Sequence, residues 1–582
     1  MRGLPALASA SPTFISTYQT NTAANLTVDT NAAVRALSGM QRLWQTGTAW
    51  NTGTVLDAPA LRASMRYAAR ISRTRSAADE ARAFIQDRQN QSYAAISGLG
   101  PLAPLYKAGA LAVTSITSAP TGTPATTIDD VVPADAPAGS ALGAGSPTSA
   151  LGQVVTLVNT VRGSFSSGNP SKAAYQYPRP WRMNEDSVVA DAGTVDPLGF
   201  PVYDSPVTVV PQLLRQRSTT PASDGGFPSG HTNAFHLAAL AFAYAVPERF
   251  QELVTAAFDL AETRIVAGMH SPVDVIGGRI LATALAAAIL NDPANATLKA
   301  AARAQALAYF TARTGADLVG FARSGADRAA NERIVTPKLT YGLPRGRSTA
   351  PMVVPDGAEV LLETRQPYLT ARQRREVLRT TAVGAGWPLL DGPENWGRLN
   401  LFAAADGYGA FDRDVVVSLD AAAGGFAAAD TWRNDISGRG GLVKTGTGAL
   451  TLTGDNAYRG GTTVAAGTLV ASSSRALGTG DVAVTGGTLL VGDALRVGGE
   501  YRQNAGTLSV DVPSRCRGDL LEICGDAVLG GTLTVTGDIG RDLTVLRARR
   551  VQGRFASVVA PAGFKATVSY SRTAVVVRLN RA

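Results

Sequence analysis

The chain has 582 residues and a mass of 60.1 kDa, which exceeds one ordinary domain and predicts at least two. Its 45% hydrophobic content is ample for a core, and its net charge of +9 comes from 54 basic residues, all but six of them Arg, with no Lys/Arg-rich run of the kind that binds nucleic acid. Its two cysteines, Cys516 and Cys524, lie near the C-terminus, so a cysteine nucleophile is excluded from the remainder; they pair across a short loop if the protein is exported and stay free thiols if it is not.

The first residues, MRGLPALASASPTF, place small residues (Ala8, Ser9, Ala10) where a signal peptide would end, after an apolar region too short for a complete one. Residues 1–118 read as an N-terminal helical part. LRASMRYAARI from Leu61 and SAADEARAFIQDRQNQSYAAI from Ser76 each space apolar residues three and four apart. Residues 119–150, rich in Ala, Pro, Thr, Gly and Ser, read as a long loop. Helical patterning returns over 151–330, and its most apolar stretch, Ile280 to Leu290, falls short of the ~18 residues a membrane span needs. Residues 331–436 connect this region to the next and are mixed in character.

From 437 to 582 the texture changes to Gly, Thr, Val and Leu alternating with period two. A repeat runs through it: GALTL, AGTLV, GGTLL, AGTLS and GGTLT place a Leu at 450, 469, 489, 508 and 533. A short strand recurring about every 20 residues between Gly-rich turns predicts stacked rungs of a parallel β-helix. The expected fold class is therefore multidomain, an all-α helical bundle followed by a β-rich, parallel β-helix-like domain.

Only three histidines occur in the chain, and two stand in patterned segments. SKAAYQYPRP carries Lys172 and, seven positions on, Arg179. GGFPSGHTNAF carries Ser229, Gly230 and His231. TRIVAGMHSPVD carries Arg264, His270 and Asp274. Three cations, two imidazoles and a carboxylate suit a tetrahedral dianion: fixed charges for its oxygens, one ring to attack phosphorus and one to protonate the leaving oxygen. No Cys-rich or multi-carboxylate cluster offers a competing metal site. Ser229 is an expected helix N-cap, with Gly230 allowing close backbone approach to an anion at the helix start. A helix is expected from Pro247 to about Ala267, with Gly268 as its C-terminal cap. Ser271-Pro272 then starts another helix. His270 should sit in the short connection, exposed to a cleft, with Asp274 reaching back to its ring. His236 reads as filler within a small-residue helix.

These three blocks resemble the signature of the type 2 phosphatidic acid phosphatase superfamily, which includes class A bacterial acid phosphatases and vanadium haloperoxidases. The resemblance covers about residues 80–295, with Thr263 standing where the family usually has Ser. It implies a metal-independent acid phosphatase acting on monoesters through a phosphohistidine. His270 is then the nucleophile, Asp274 its orienting carboxylate, and His231 the general acid and base. Lys172, Arg179, Ser229, Gly230 and Arg264 bind the phosphate. No cofactor is implied, although vanadate would bind as a phosphate mimic. Activity on the acid side of neutral is expected, with the two histidine pKa values pushed apart.

GLVKTGTGALTLTGDNAYRGGTTVAAGTLV, residues 441–470, is similar to the autotransporter-associated β-strand repeat of bacterial surface proteins. It implies export to the periplasm, the cell surface or the medium of a Gram-negative cell. The expected partner is a small phosphorylated substrate, with no nucleic acid, no integral membrane segment, and cell-surface association through the β-helix. The alternatives are a lipid phosphatase or vanadate-dependent haloperoxidase using the same site, and a surface adhesin in which the β-helix is the functional part.

Overall fold

The computed structural model describes residues 13–315, 317–492, 494–512, 520–537 and 543–581. The chain divides into two compact units. The first runs to Thr364 and takes in Ala382–Phe402; the second comprises Arg365–Thr381 and Ala403 onward. The expected fold class is observed, a helical region followed by a parallel β-solenoid.

The helices that build the first unit's site are α1 (Ala58–Thr74), α2 (Ala77–Arg88), α3 (Gly152–Val161), α4 (Asn169–Tyr175), α5 (Gly230–Ala245), α6 (Phe250–Val266) and α7 (Pro272–Asn291). Helices α5 and α7 are apolar on every side, and a helix of that kind belongs at the centre of a bundle. From Pro272 to Leu290, α7 is buried throughout. It packs on α5, which also packs on α6. Helix α7 corrects the expectation that no segment is long enough for a membrane span. At 20 residues it is long and apolar enough by composition, yet it is wholly buried among the other helices. The pattern beginning at Ile280 understated it because Asp274, Gly277, Gly278 and Arg279 interrupt its first half.

The helix expected to run on from Ser76 breaks instead after Arg88. Gln89 is extended, and Asn90 caps a new short helix by accepting the N–H of Ser92. Asn and Ser compete with helix backbone in this way, which is why they favour caps over interiors. No helix or strand falls between Ala110 and Gly152, and the segment holds turns and an isolated bridge from Ala112 to Ala141. Residues 331–436 are divided between the two units and contain a helix at Ala371–Thr380.

In the second unit, the strands Ala429–Trp432, Ala449–Leu452, Thr468–Ala471, Thr488–Val491, Thr507–Val512, Thr532–Gly537 and Ser557–Val559 form one parallel sheet. The repeat leucines stack in register, Leu450 on Leu469, then Leu489, Leu508 and Leu533, each fully buried. The facing sheet is parallel from Val415–Ser418 to Leu543–Gly553 and closes with two antiparallel strands. On Ala429–Trp432, the first strand of the seven-stranded sheet, the buried Asp430 accepts from Arg365 and Tyr368 at 2.7 and 2.6 Å. Cys524 is exposed, and Cys516, its expected disulfide partner, lies outside the described residues.

Candidate active site

Three loops between helices bring the patterned residues together, and backbone bonds tie those loops to one another. Ser229 donates its N–H to the carbonyl of Asp274 at 2.9 Å, and Gly226 donates to that of Tyr177 at 2.7 Å. Gly268 ends α6 with φ +74, where an added Cβ would lie 2.2 Å from the carbonyl oxygen of Thr208. The chain turns there, as expected, and delivers His270 just before α7. Ser271 caps α7 with Pro272 in its first turn, and Asp274 completes a capping box by accepting from the Ser271 N–H at 2.8 Å.

His270 is buried, with 1% of its surface exposed, and so is not open to a cleft as the sequence predicts. The guanidinium of Arg179 covers its Nε2 edge. Arg179 Nη1 donates to His270 Nε2 at 3.1 Å and to the Met269 carbonyl at 3.1 Å. On the other side of the ring, Nδ1 faces Asp274 Oδ2 at 3.5 Å. The ring therefore presents a lone pair on Nε2 and its proton toward Asp274. Burial, then Arg179, Lys172, Arg264 and His231, hold its pKa well below the usual histidine value. The site's cations and the second imidazole are thus all within electrostatic reach of His270.

Lys172 extends from α4 and donates to the Gly225 carbonyl at 2.6 Å. Burial and the Arg179 charge bring its pKa down to about 7. Arg179 is held by Asp224, whose Oδ1 accepts from Nε and Nη2 at 2.8 and 2.6 Å. Arg264 is paired with Asp87. Ser229 is fully buried at the start of α5, where its Oγ accepts from Thr232, while a Cβ at Gly230 would lie 4.0 Å from Lys172 Cε.

His231 donates from Nε2 to the backbone carbonyl of Asp87 at 3.2 Å, which leaves Nδ1 as the atom free for proton transfer. Its side chain keeps 31% exposure, yet the buried surroundings and Arg264 lower its pKa to about 3 against the opposing pull of Asp87. Both imidazoles are therefore neutral before an anion arrives. The cationic field depresses both. The Asp274 carboxyl moves the other way, pushed up to about 7 by burial.

Three residues of this site were missed in the sequence. Asp224 and the fully buried Arg182 form one network with Arg179, Arg182 Nη2 reaching Asp224 Oδ2 at 2.9 Å. Asp87 binds Arg264 and His231 together. A signal for Asp87 was present: it follows Ala83 and Phe84 at helical spacing on the buried face of α2, and a carboxylate in that position needs a cation. His236 stays outside the site, buried edge-to-face against Phe258 at 5.1 Å. Among the described residues no group of three or more His, Cys, Asp or Glu could hold a metal ion.

Fold and site together define a helical domain in which two histidines lie among buried cations, followed in the chain by a β-solenoid. Residues 153–298 match the model of the PAP2 superfamily, and residues 442–471 match that of the passenger-associated-transport repeat, so the chain carries a domain of the first kind and a repeat of the second. Among curated proteins it is 38% identical over 71 residues to a non-specific acid phosphatase of Salmonella typhi, covering 12% of this chain and 28% of that one. It is 30% identical over 214 residues to an extracellular serine protease of Serratia marcescens, covering 30% and 20%. It is 35% identical over 121 residues to the Neisserial autotransporter lipoprotein NalP of Neisseria meningitidis, covering 20% and 10%. The chain thus spans less than a third of the length of each of these relatives.

Proposed function

We propose that the protein is an exported phosphatase that hydrolyses phosphate monoesters through a phosphohistidine, without a metal. The observation that carries the reading is the buried, neutral His270, its Nε2 lone pair directed at Arg179 and its Nδ1 at Asp274. Arriving phosphate takes the guanidinium's donors, and Nε2 then attacks phosphorus in line. The N–P bond forms as the P–O bond to the alcohol breaks, and Nδ1 of His231 gives its proton to the departing oxygen. Asp274 orients the phosphorylated ring through its Nδ1 proton. Water then attacks phosphorus and gives its proton to His231, the N–P bond breaks, and phosphate leaves. Lys172, Arg179 and Arg264, with the first turn of α5, stabilise charge on the three equatorial oxygens.

His231 is neutral in the empty site, so the substrate monoanion supplies the first proton on binding. A phosphate monoester loses that proton near pH ~6, which favours activity on the acid side. Vanadate, a tetrahedral mimic, is expected to inhibit by occupying the same pocket. The test is phosphate release from a monoester by purified protein in excess chelator. Loss of turnover in His270→Ala with retained fold supports the reading, and full turnover in that variant refutes it. The extracellular and autotransporter relatives support export from a Gram-negative cell, with the β-solenoid as the part that associates with a surface.

A further inference from the structure

A cleft of about 270 Å³ has Gly230 and His231 in its wall and continues over Gln91, Arg162, Ser167 and Asn169. It opens beside the ring that protonates the leaving oxygen, so it is the space a departing alcohol would occupy. Its lining is polar, and no Asp or Glu contributes to it. Arg162 stands at the C-terminal end of α3, half-buried. Its Nη1 donates to Asn90 Oδ1 at 3.0 Å and Ser92 Oγ at 2.7 Å, and its Nη2 to Gln91 Oε1 at 3.0 Å. All three acceptors are neutral, and among the described residues no carboxylate pairs with it. Burial lowers its pKa to about 10, so it remains charged at neutral pH.

A part-buried cation held only by neutral oxygens costs desolvation without a compensating charge. At the wall of an open cleft, that cost is recovered when an anion binds. Arg suits this task because its fork can engage both oxygens of a carboxylate or two of a phosphate. We propose that this cleft receives the leaving alcohol and that Arg162 selects substrates whose alcohol carries a second anionic group, a carboxylate or a phosphate. The inference rests on the phosphatase reading and names its substrate class. The polar lining also opposes acyl chains, so a lipid substrate is disfavoured.

The test compares kcat/KM of the full chain for two pairs of monoesters. 3-Phosphoglycerate against glycerol 3-phosphate isolates the carboxylate. Propanediol bisphosphate against propanediol monophosphate isolates the second phosphate. Wild type should prefer the anionic member of at least one pair about tenfold or more, the size of one charge-assisted hydrogen bond. Arg162→Gln should bring that ratio close to one, and Arg162→Lys should keep part of it. Because each ratio is taken within one protein, a general loss of folded enzyme cancels. If Arg162 only braces the Asn90–Ser92 turn, Arg162→Gln lowers both members equally; that result, or a wild-type ratio near one in both pairs, overturns the selection. Hydrolysis of none of the four substrates overturns the phosphatase reading, and this inference with it.

Discussion

Asp274 serves two neighbours at once, capping α7 through Oδ2 and facing His270, and burial raises its pKa to about 7. A folded-state value above the unfolded one means that the neutral form is favoured in the native protein. Its contribution to stability is complete below the unfolded carboxyl value and is lost as pH rises through about 7. Asp274→Asn has no such proton, so its melting temperature should rise relative to wild type between pH 4 and pH 8, while kcat falls about 10²-fold or more. A pH-independent difference in melting would contradict this. Lys172 is lowered to about 7 and so loses its charge above neutrality. With the substrate proton lost near ~6, log kcat/KM should fall with a slope approaching two on the alkaline side. Lys172→Arg stays charged and should reduce that slope toward one; an unchanged slope would remove Lys172 from the limb. Asp87→Ala should cost about 3–5 kcal/mol by leaving Arg264 buried and unpaired, measured by denaturant unfolding.

At the scale of elements, α5 and α7 approach closely because Gly278 has no side chain. A Cβ there would lie 2.6 Å from the Ser229 carbonyl oxygen and 2.9 Å from Thr232 Cβ. In an open helix Gly→Ala stabilises by about 1 kcal/mol. Here overpacking dominates, and Gly278→Ala should destabilise by about 1–3 kcal/mol and slow turnover, because the displaced backbone carries Ser229 and His231. An unchanged denaturation midpoint would show that the helices can separate without cost. The elements that bear the site were legible because caps and glycines announce them: Ser229 before α5, Gly268 after α6, and Ser271-Pro272 at α7. The break after Arg88 was not, because Gln89 and Asn90 interrupt a pattern whose apolar spacing continues to Tyr93 and Ile96. Burial of His270 was equally hidden, since its Nε2 edge is covered by Arg179, 91 positions away in the chain.

For the molecule as a whole, the sequence change near Ser437 announced the second architecture, and its leucines at 450, 469, 489, 508 and 533 stack as the intervals require. In a solenoid each rung is stabilised by its neighbours, so Leu489→Ala, in the middle of the stack, should cost about 2–5 kcal/mol. Calorimetry should show a lowered transition, while phosphate release below that transition persists; an unshifted transition would contradict the stacked core. What the intervals could not reveal is that Arg365–Thr381 is part of this unit, since it is separated from the rungs by the twenty or so residues that return to the helical unit. The chemical account of the chain reduces to a covalent bond between phosphorus and one ring nitrogen. Rapid quenching of the full chain during turnover of a ³²P-labelled monoester tests it most directly. An alkali-stable, acid-labile label on Nε2 of His270, absent in His270→Ala and accumulating in His231→Ala variants supplied with an activated leaving group, is the predicted result. Label on another residue, or steady turnover with no label on any, would contradict it.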